Sequence, residues 1–227
     1  MPELDAWTYL VAVLCGGLVG VDAVSWPQVM ISRPLVAATL GGSLLGDPGA
    51  GLLVGAVLEL LGLRHPPLGA ARYPDTGPAA LVAGAAFAVS GGGVTSLVVA
   101  VSTGWLLGWV GAHTVHLLRG LNGRLVGQPA PLSVAPGRLE RRQRLAVGLD
   151  FARAALLTAA FLVPAALVIR VVPASAGGPA APVAAAVLAV VVGGAAGAAA
   201  GGLFGGRRGW LLLAAGGLAS VVALVLA

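Results

Sequence analysis

An all-α, polytopic membrane protein is the fold class that this sequence predicts, and three observations carry the prediction. Hydrophobic residues fill 58% of the 227 positions and charged residues only 9%, whereas soluble domains carry about 25% charge. Mean hydropathy is +0.98. Apolar stretches of roughly 20 residues, long enough as helices to cross a hydrocarbon core about 30 Å thick, recur along the chain.

Residues 6–24 read as the first full span, with Glu3 and Asp5 before it and Asp22 at its inner end. The next two apolar runs, 35–46 and 49–63, are each too short to cross alone. Asp47-Pro48-Gly49 separates them, and this is turn chemistry, so the pair reads as a re-entrant helical hairpin. Broken backbone of this kind persists at membrane depth only where protein buries it or water reaches it. Further spans are expected at 77–92, 93–118, 151–172, 181–204 and 209–227, giving about six in all. The stretch 77–92 is short enough to serve instead as one arm of a second hairpin. Three regions follow: an N-terminal membrane half at 1–118 that carries the hairpin, an Arg-rich loop at 119–150, and a C-terminal membrane half at 151–227.

Charge orients this layout. The chain holds thirteen arginines and no lysine against eight acids, and short cytoplasmic loops carry the positive excess of membrane proteins. Residues 119–153 hold seven of the thirteen arginines, which places that loop in the cytoplasm and both termini outside. Arg170 alone falls on the wrong side of this scheme. Orientation accounts for the basic excess more simply than nucleic acid does. The opening residues lack the positive stretch that begins a cleaved signal peptide.

Other chemistries leave little trace. One cysteine, Cys15, forms no disulfide network, and a phosphate loop of the GxxxxGK type is impossible without lysine. His113 and His116 stand three apart without a nearby carboxylate, a weak basis for a metal site. His65 reads as interfacial. No catalytic residue, metal or cofactor is expected on this chain. Trp7, Tyr9 and Trp210 fall at expected membrane boundaries, as aromatic belts do. Trp105 and Trp109, one helical turn apart, read as a packing face.

Small residues recur at helical spacing. Gly16 and Gly20 in the first span, and Gly193, Gly197, Gly201 and Gly205 in a later one, allow backbones to approach closely. Packing within the subunit uses this spacing, and so does an interface in an oligomer. Residues 138–149 combine Arg138, Arg141, Arg142 and Arg144 with Leu139, Leu145 and Val147. They read as a short amphipathic helix on the inner leaflet, with anionic lipid at Arg138–Arg144 or a docked protein as its partner.

Candidate binding residues concentrate in the hairpin quarter, because Asp22, Asp47, Glu59 and Asp75 are half of all the acids. Ionisable groups inside a membrane commonly cost a few kcal/mol, so such a concentration wants a cause. On the second hairpin helix Gly51, Gly55, Glu59 and Gly62 fall in one stripe, and the carboxylate therefore faces protein or a cavity. Glu59 either binds a ligand or pairs with Arg33 or Arg72. Thr39, Gly42, Ser43 and Gly46 make a matching small, partly polar stripe on the first hairpin helix. Asp47, before a proline, reads as a helix cap. Arg33 opens a helix with Pro34 at its first position, and Gln28 just ahead could bond a polar solute.

The run QVMISRPLV at 28–36, then LGDPGAGLLVGAVLELLGL at 45–63 and GAARYPD at 69–75, resembles the IIC membrane component of the mannose/fructose/sorbose type of phosphotransferase system. The resemblance covers about residues 20–90. The chain departs from the pattern at Tyr73, where proline is common, and at Arg64-His65. Membership implies an elevator-type permease subunit of the inner membrane that moves a hexose inward. It also implies a IID membrane partner and soluble IIA and IIB phosphocarriers that relay phosphate from phosphoenolpyruvate. Carried over residue by residue, it assigns sugar binding to Gln28, Asp47, Glu59 and Asp75, with Arg33 in the SRP element. A non-transporting regulatory subunit and a facilitator independent of phosphotransfer are the alternatives.

Overall fold

The computed structural model describes residues 4–62, 73–126 and 136–171, with single helical positions at 185, 211 and 215. Among the described residues the order is α1 (Ala6–Val24), α2 (Pro34–Leu44), α3 (Pro48–Gly62), α4 (Thr76–Ala88), α5 (Val94–Val126) and α6 (Pro136–Val171), without a strand. Three of these, α1, α5 and α6, are long and apolar enough to cross a membrane. The expected spans at 181–204 and 209–227, and the glycine repeat from Gly193, lie outside the described residues.

Asp5 caps α1, its Oδ1 accepting from the Thr8 amide at 2.7 Å. Hydrogen bonding from the Thr8 side chain, and next from its amide, holds the exposed carboxyl below its ordinary pKa. α1 runs antiparallel to α6, and its small residues decide how closely. Gly16 lies against Thr158, Gly17 against the Phe151 ring and Gly20 against Ala154. Tyr9 adds a hydrogen bond to the Ala159 carbonyl at 2.8 Å. The spacing read from Gly16 and Gly20 is thus used inside the subunit.

The hairpin forms as the apolar runs and the Asp47-Pro48-Gly49 turn predict. Leu45 to Asp47 close α2, and Gly46 takes a φ of +81°, a conformation that suits glycine. The arms then pack backbone to backbone. A Cβ at Gly51 would strike the Ala38 carbonyl, and one at Gly55 would lie 2.7 Å from the Pro34 carbonyl oxygen. Gly41 and Gly84 bring α2 equally close to α4.

Among the described residues α4, beneath the hairpin, is the most enclosed element, with Gly77 to Phe87 all buried. Its thirteen residues reach only about 20 Å at 1.5 Å per residue. The expected 77–92 span is therefore too short to cross alone. Its end is set by Ser90, whose hydroxyl donates to the Phe87 carbonyl at 2.7 Å, and by Gly91, Gly92 and Gly93, all at positive φ.

Two further expectations are corrected. Residues 138–149 are not a separate surface helix: they are the first turns of α6, which runs unbroken from Pro136 to Val171. No residue between 138 and 163 is a proline, so nothing forces a break before the apolar stretch begins. Pro164 sits inside the helix, where its ring removes one backbone donor. Asp22 is not interfacial in the sense of solvated, because it is 2% exposed. Its carboxylate folds the following loop by accepting from the Val29 amide at 2.6 Å and the Ser32 amide at 2.9 Å.

Candidate functional site

Polar side chains gather in two places at one end of the helices. The first is the hairpin mouth. Gly55 lets α3 lie directly on the first turn of α2, and one helical turn further on Glu59 comes level with the α2 N-terminus. Its Oε1 accepts from Arg33 Nε at 2.7 Å and ion-pairs with Nη2, while Oε2 accepts from the Leu35 amide at 3.2 Å. A helix N-terminus leaves unpaired N–H groups and a positive dipole end, both of which favour a carboxylate there. Arg33 is half exposed and Glu59 mostly covered, at 54% and 19% of their side chains. The pair thus forms a charged rim at the hairpin mouth, with Arg33 its more open member.

The second cluster centres on Arg153. Its Nη1 donates to Asp75 Oδ2 at 2.6 Å and to Thr114 Oγ1 at 3.1 Å, and its Nε donates to Asp150 Oδ1 at 3.0 Å. Asp150 also accepts from the Ser25 hydroxyl at 2.6 Å. One guanidinium therefore ties α4, α5 and α6 together, and through Asp150 the end of α1. Asp75 and Asp150 are buried, and two atoms, Asp75 Oδ1 and Arg153 Nη2, have no hydrogen-bond partner. A narrow cleft of about 20 Å³, lined by Tyr73, Asp75, His116 and Arg119 among others, reaches Asp75. That is room for about one water or hydroxyl group.

The loop from Ser25 to Arg33 joins the two clusters. Ser25 bonds Asp150, the Ser32 carbonyl lies against Gly77 at the start of α4, and Arg33 bonds Glu59. Gln28 is exposed on this loop at a φ of 61°.

Of the five residues expected to bind substrate, the structure joins Arg33 and Glu59 directly. Gln28 lies on the loop that leads to them. Asp75 belongs to the Arg153 cluster. Asp47 is at the far end of the hairpin, where its Oδ1 accepts from the Ala50 amide at 2.8 Å and caps α3. The eleven residues of α2 separate it from the mouth by about 16 Å. Thr39 and Ser43 spend their hydroxyls on the Leu35 and Thr39 carbonyls one turn back. Arg153, Asp150, Thr114 and Ser25 were not singled out from sequence as site residues. The available signal was an Asp and an Arg three apart at the head of an apolar run, a spacing that places both on one helical face.

Comparison with known proteins bears on what these clusters are for. The family model described as the PTS system sorbose-specific IIC component matches residues 6–173. The chain belongs to this family. Curated IIC proteins are similar over shorter stretches. The sorbose-specific EIIC component of Lacticaseibacillus casei is 42% identical over 50 residues, which is 22% of this chain and 18% of that protein. The mannose-specific EIIC component of Escherichia coli K12 is 38% identical over 55 residues, 24% of this chain and 21% of that protein. For the fructose permease IIC component of Bacillus subtilis 168 the figures are 46% over 50 residues, 22% and 19%. The aligned stretches span about a fifth of the length of these IIC relatives.

Proposed function

We propose that this chain is the sugar-translocating membrane subunit of a phosphoenolpyruvate-dependent phosphotransferase system, importing a hexose that a partner IIB protein phosphorylates. Membership of the IIC family supports the reading, and the three relatives are named for sorbose, mannose and fructose. The observation that carries the site is the bonded pair of Glu59 and Arg33 at the hairpin mouth.

Adjacent sugar hydroxyls both donate and accept, and this pair answers both needs. A carboxylate offers about four acceptor positions and a guanidinium five donors, so neither is exhausted by the bonds that Glu59 and Arg33 already make. Hydrogen bonds to ionised groups are roughly twice as strong as neutral ones. Gln28 contributes a neutral amide from the loop that leads to Arg33. In this reading Asp75, held by Arg153, shapes the end of α4 beside the site, and Asp47 keeps the hairpin tip closed. The membrane arrangement proposed with it has about six spans and one re-entrant hairpin, both termini outside, elevator-type movement, and a IID chain in an oligomeric permease.

Uptake of labelled mannose, fructose and sorbose tests the reading. Vesicles containing this chain are compared with and without co-expressed IIA, IIB and IID proteins, for the native chain and for Glu59→Gln. Relay-dependent uptake by the native chain, lost in a normally inserted Glu59→Gln variant, is the expected result. Uptake that persists without the relay points instead to a facilitator. Absence of uptake of all three sugars under every condition overturns the reading in favour of a regulatory subunit.

A further inference from the structure

The net charge of this chain is not spread along it. Between residues 119 and 149 stand six arginines, Arg119, Arg124, Arg138, Arg141, Arg142 and Arg144, and one acid, Glu140. The remaining seven arginines and seven acids cancel, so this segment holds the whole formal charge of +5. Orientation in the membrane accounts for basic residues near a span, but it does not account for where the structure puts these.

Helix length decides the point. α6 is continuous over 36 residues and α5 over 33. From Phe151 to Val171 α6 already covers about 31 Å, the full hydrocarbon thickness. The fifteen residues from Pro136 to Asp150 then carry it roughly 22 Å further at 1.5 Å per residue. The headgroup layer is only about 5–8 Å deep on each side. Arg144 lies about 10 Å beyond Phe151 and Arg141 about 15 Å, and an ordinary tilt of about 20° shortens these distances by less than a tenth. In α5 Arg124 stands well past the turn of Thr114, which bonds Arg153, so both helices project on the same side. A helix that continues unbroken out of its span carries its first turns away from the membrane rather than forming a separate helix along it.

The projecting turns are open. Arg141, Arg144 and Arg124 are exposed, and a Cβ at Gly120, Gly123 or Gly137 would meet nothing within 4 Å. Leu117, Leu121, Leu139 and Leu145 are at least half exposed. Leu117, Leu121 and Arg124 share one face of α5 by their spacing of four and three. Positive charge interleaved with exposed leucine is the complement of an acidic protein surface with apolar patches.

We propose that the projecting ends of α5 and α6 are the docking surface for a soluble acidic protein, the IIB-type phosphocarrier of the preceding reading, on which this assignment rests. The surface supplies encounter rate and salt sensitivity through its arginines and contact area through its leucines.

The test uses the full chain in nanodiscs of neutral phosphatidylcholine and the purified IIA and IIB proteins of the uptake assay, with binding read directly. The expected result is binding that weakens at least about tenfold in the triple variant Arg124→Gln, Arg141→Gln, Arg144→Gln, and that weakens with added salt. The corresponding triple Arg→Lys variant keeps the charge and binds within about threefold of native, which separates lost charge from lost folding. Equal binding by the native chain and the triple Gln variant overturns the proposal. So does a loss confined to phosphatidylglycerol vesicles, with carrier binding unchanged. Because binding is measured without transport, failed uptake with Arg-dependent carrier binding counts against the permease reading alone.

Discussion

Arg153 on α6 and Asp75 at the head of α4, 78 residues apart in sequence, meet through a hydrogen bond of 2.6 Å between largely covered side chains. The guanidinium is shared with Asp150 and Thr114, so a single cation sits between two buried carboxylates. Removing one member of a buried ion pair leaves an uncompensated charge, at a cost of about 3–5 kcal/mol. Arg153→Met is expected to lower the thermal unfolding temperature in detergent sharply. Adding Asp75→Asn to that variant should recover part of the loss, and an additive further loss would refute the coupling.

The rim pair at the hairpin mouth behaves differently, because Arg33 is half exposed. Exposed ion pairs contribute about 0–1 kcal/mol. Arg33→Gln should therefore shift thermal stability little while weakening sugar uptake about tenfold, a loss of roughly 1.4 kcal/mol of binding. A stability loss as large as that of Arg153→Met would show that the pair is a structural strut.

Backbone packing in the hairpin predicts a contrast between glycines. Gly51→Ala pushes a methyl into the Ala38 carbonyl, and overpacking of this kind costs about 1–3 kcal/mol. Gly120→Ala, inside α5, meets nothing within 4 Å and gains helix propensity of up to about 1 kcal/mol. Thermal unfolding of the two variants should move in opposite directions, and equal shifts would refute the packing argument.

Asp5 gives the pH dependence at the start of α1. Its pKa is lowered in the folded chain by the Thr8 hydrogen bond, so its cap contributes above the ordinary value of 3.8 and is lost as pH falls through the folded value. Protection of the Thr8 and Tyr9 amides, taken relative to their intrinsic exchange rates, should fall as pH drops below about 4, and Asp5→Ala should abolish that change in protection. A protection factor in the native chain that does not change between pH 3 and 6 would remove Asp5 as the cap.

Orientation is testable at Gly123, which is exposed with open space around it. In a Cys15→Ala background, Gly123→Cys should react with an impermeant maleimide only from the cytoplasmic side. Labelling of intact cells from outside would invert the arrangement.

Much of this architecture was legible in the residues. Period and apolar length gave α1, the Asp47-Pro48-Gly49 turn gave the hairpin, and the glycine stripe placed Glu59 toward its neighbour. Pairing of Glu59 with Arg33 or Arg72 was one of two readings the sequence left open, beside ligand binding, and the structure pairs it with Arg33. What could not be read was long-range pairing. Arg153 looked like one more loop arginine, because the sequence holds no sign that Asp75 would fold back onto it across 78 positions. Nor does composition distinguish a surface helix from the first turns of a long one, and only the continuous backbone of α6 decides that.

The enclosure of α4 has a consequence for how the protein is made. A helix of thirteen residues with an almost wholly buried surface is too short to span the bilayer by itself, and in lipid it would present its unpaired terminal amides and carbonyls to hydrocarbon. Insertion of this chain therefore cannot proceed strictly one segment at a time. The burial of α4 is complete only once α5 and α6 have packed against it. A chain truncated after residue 92 should accordingly be exposed to quality-control proteases, although the apolar residues of its hairpin are all present.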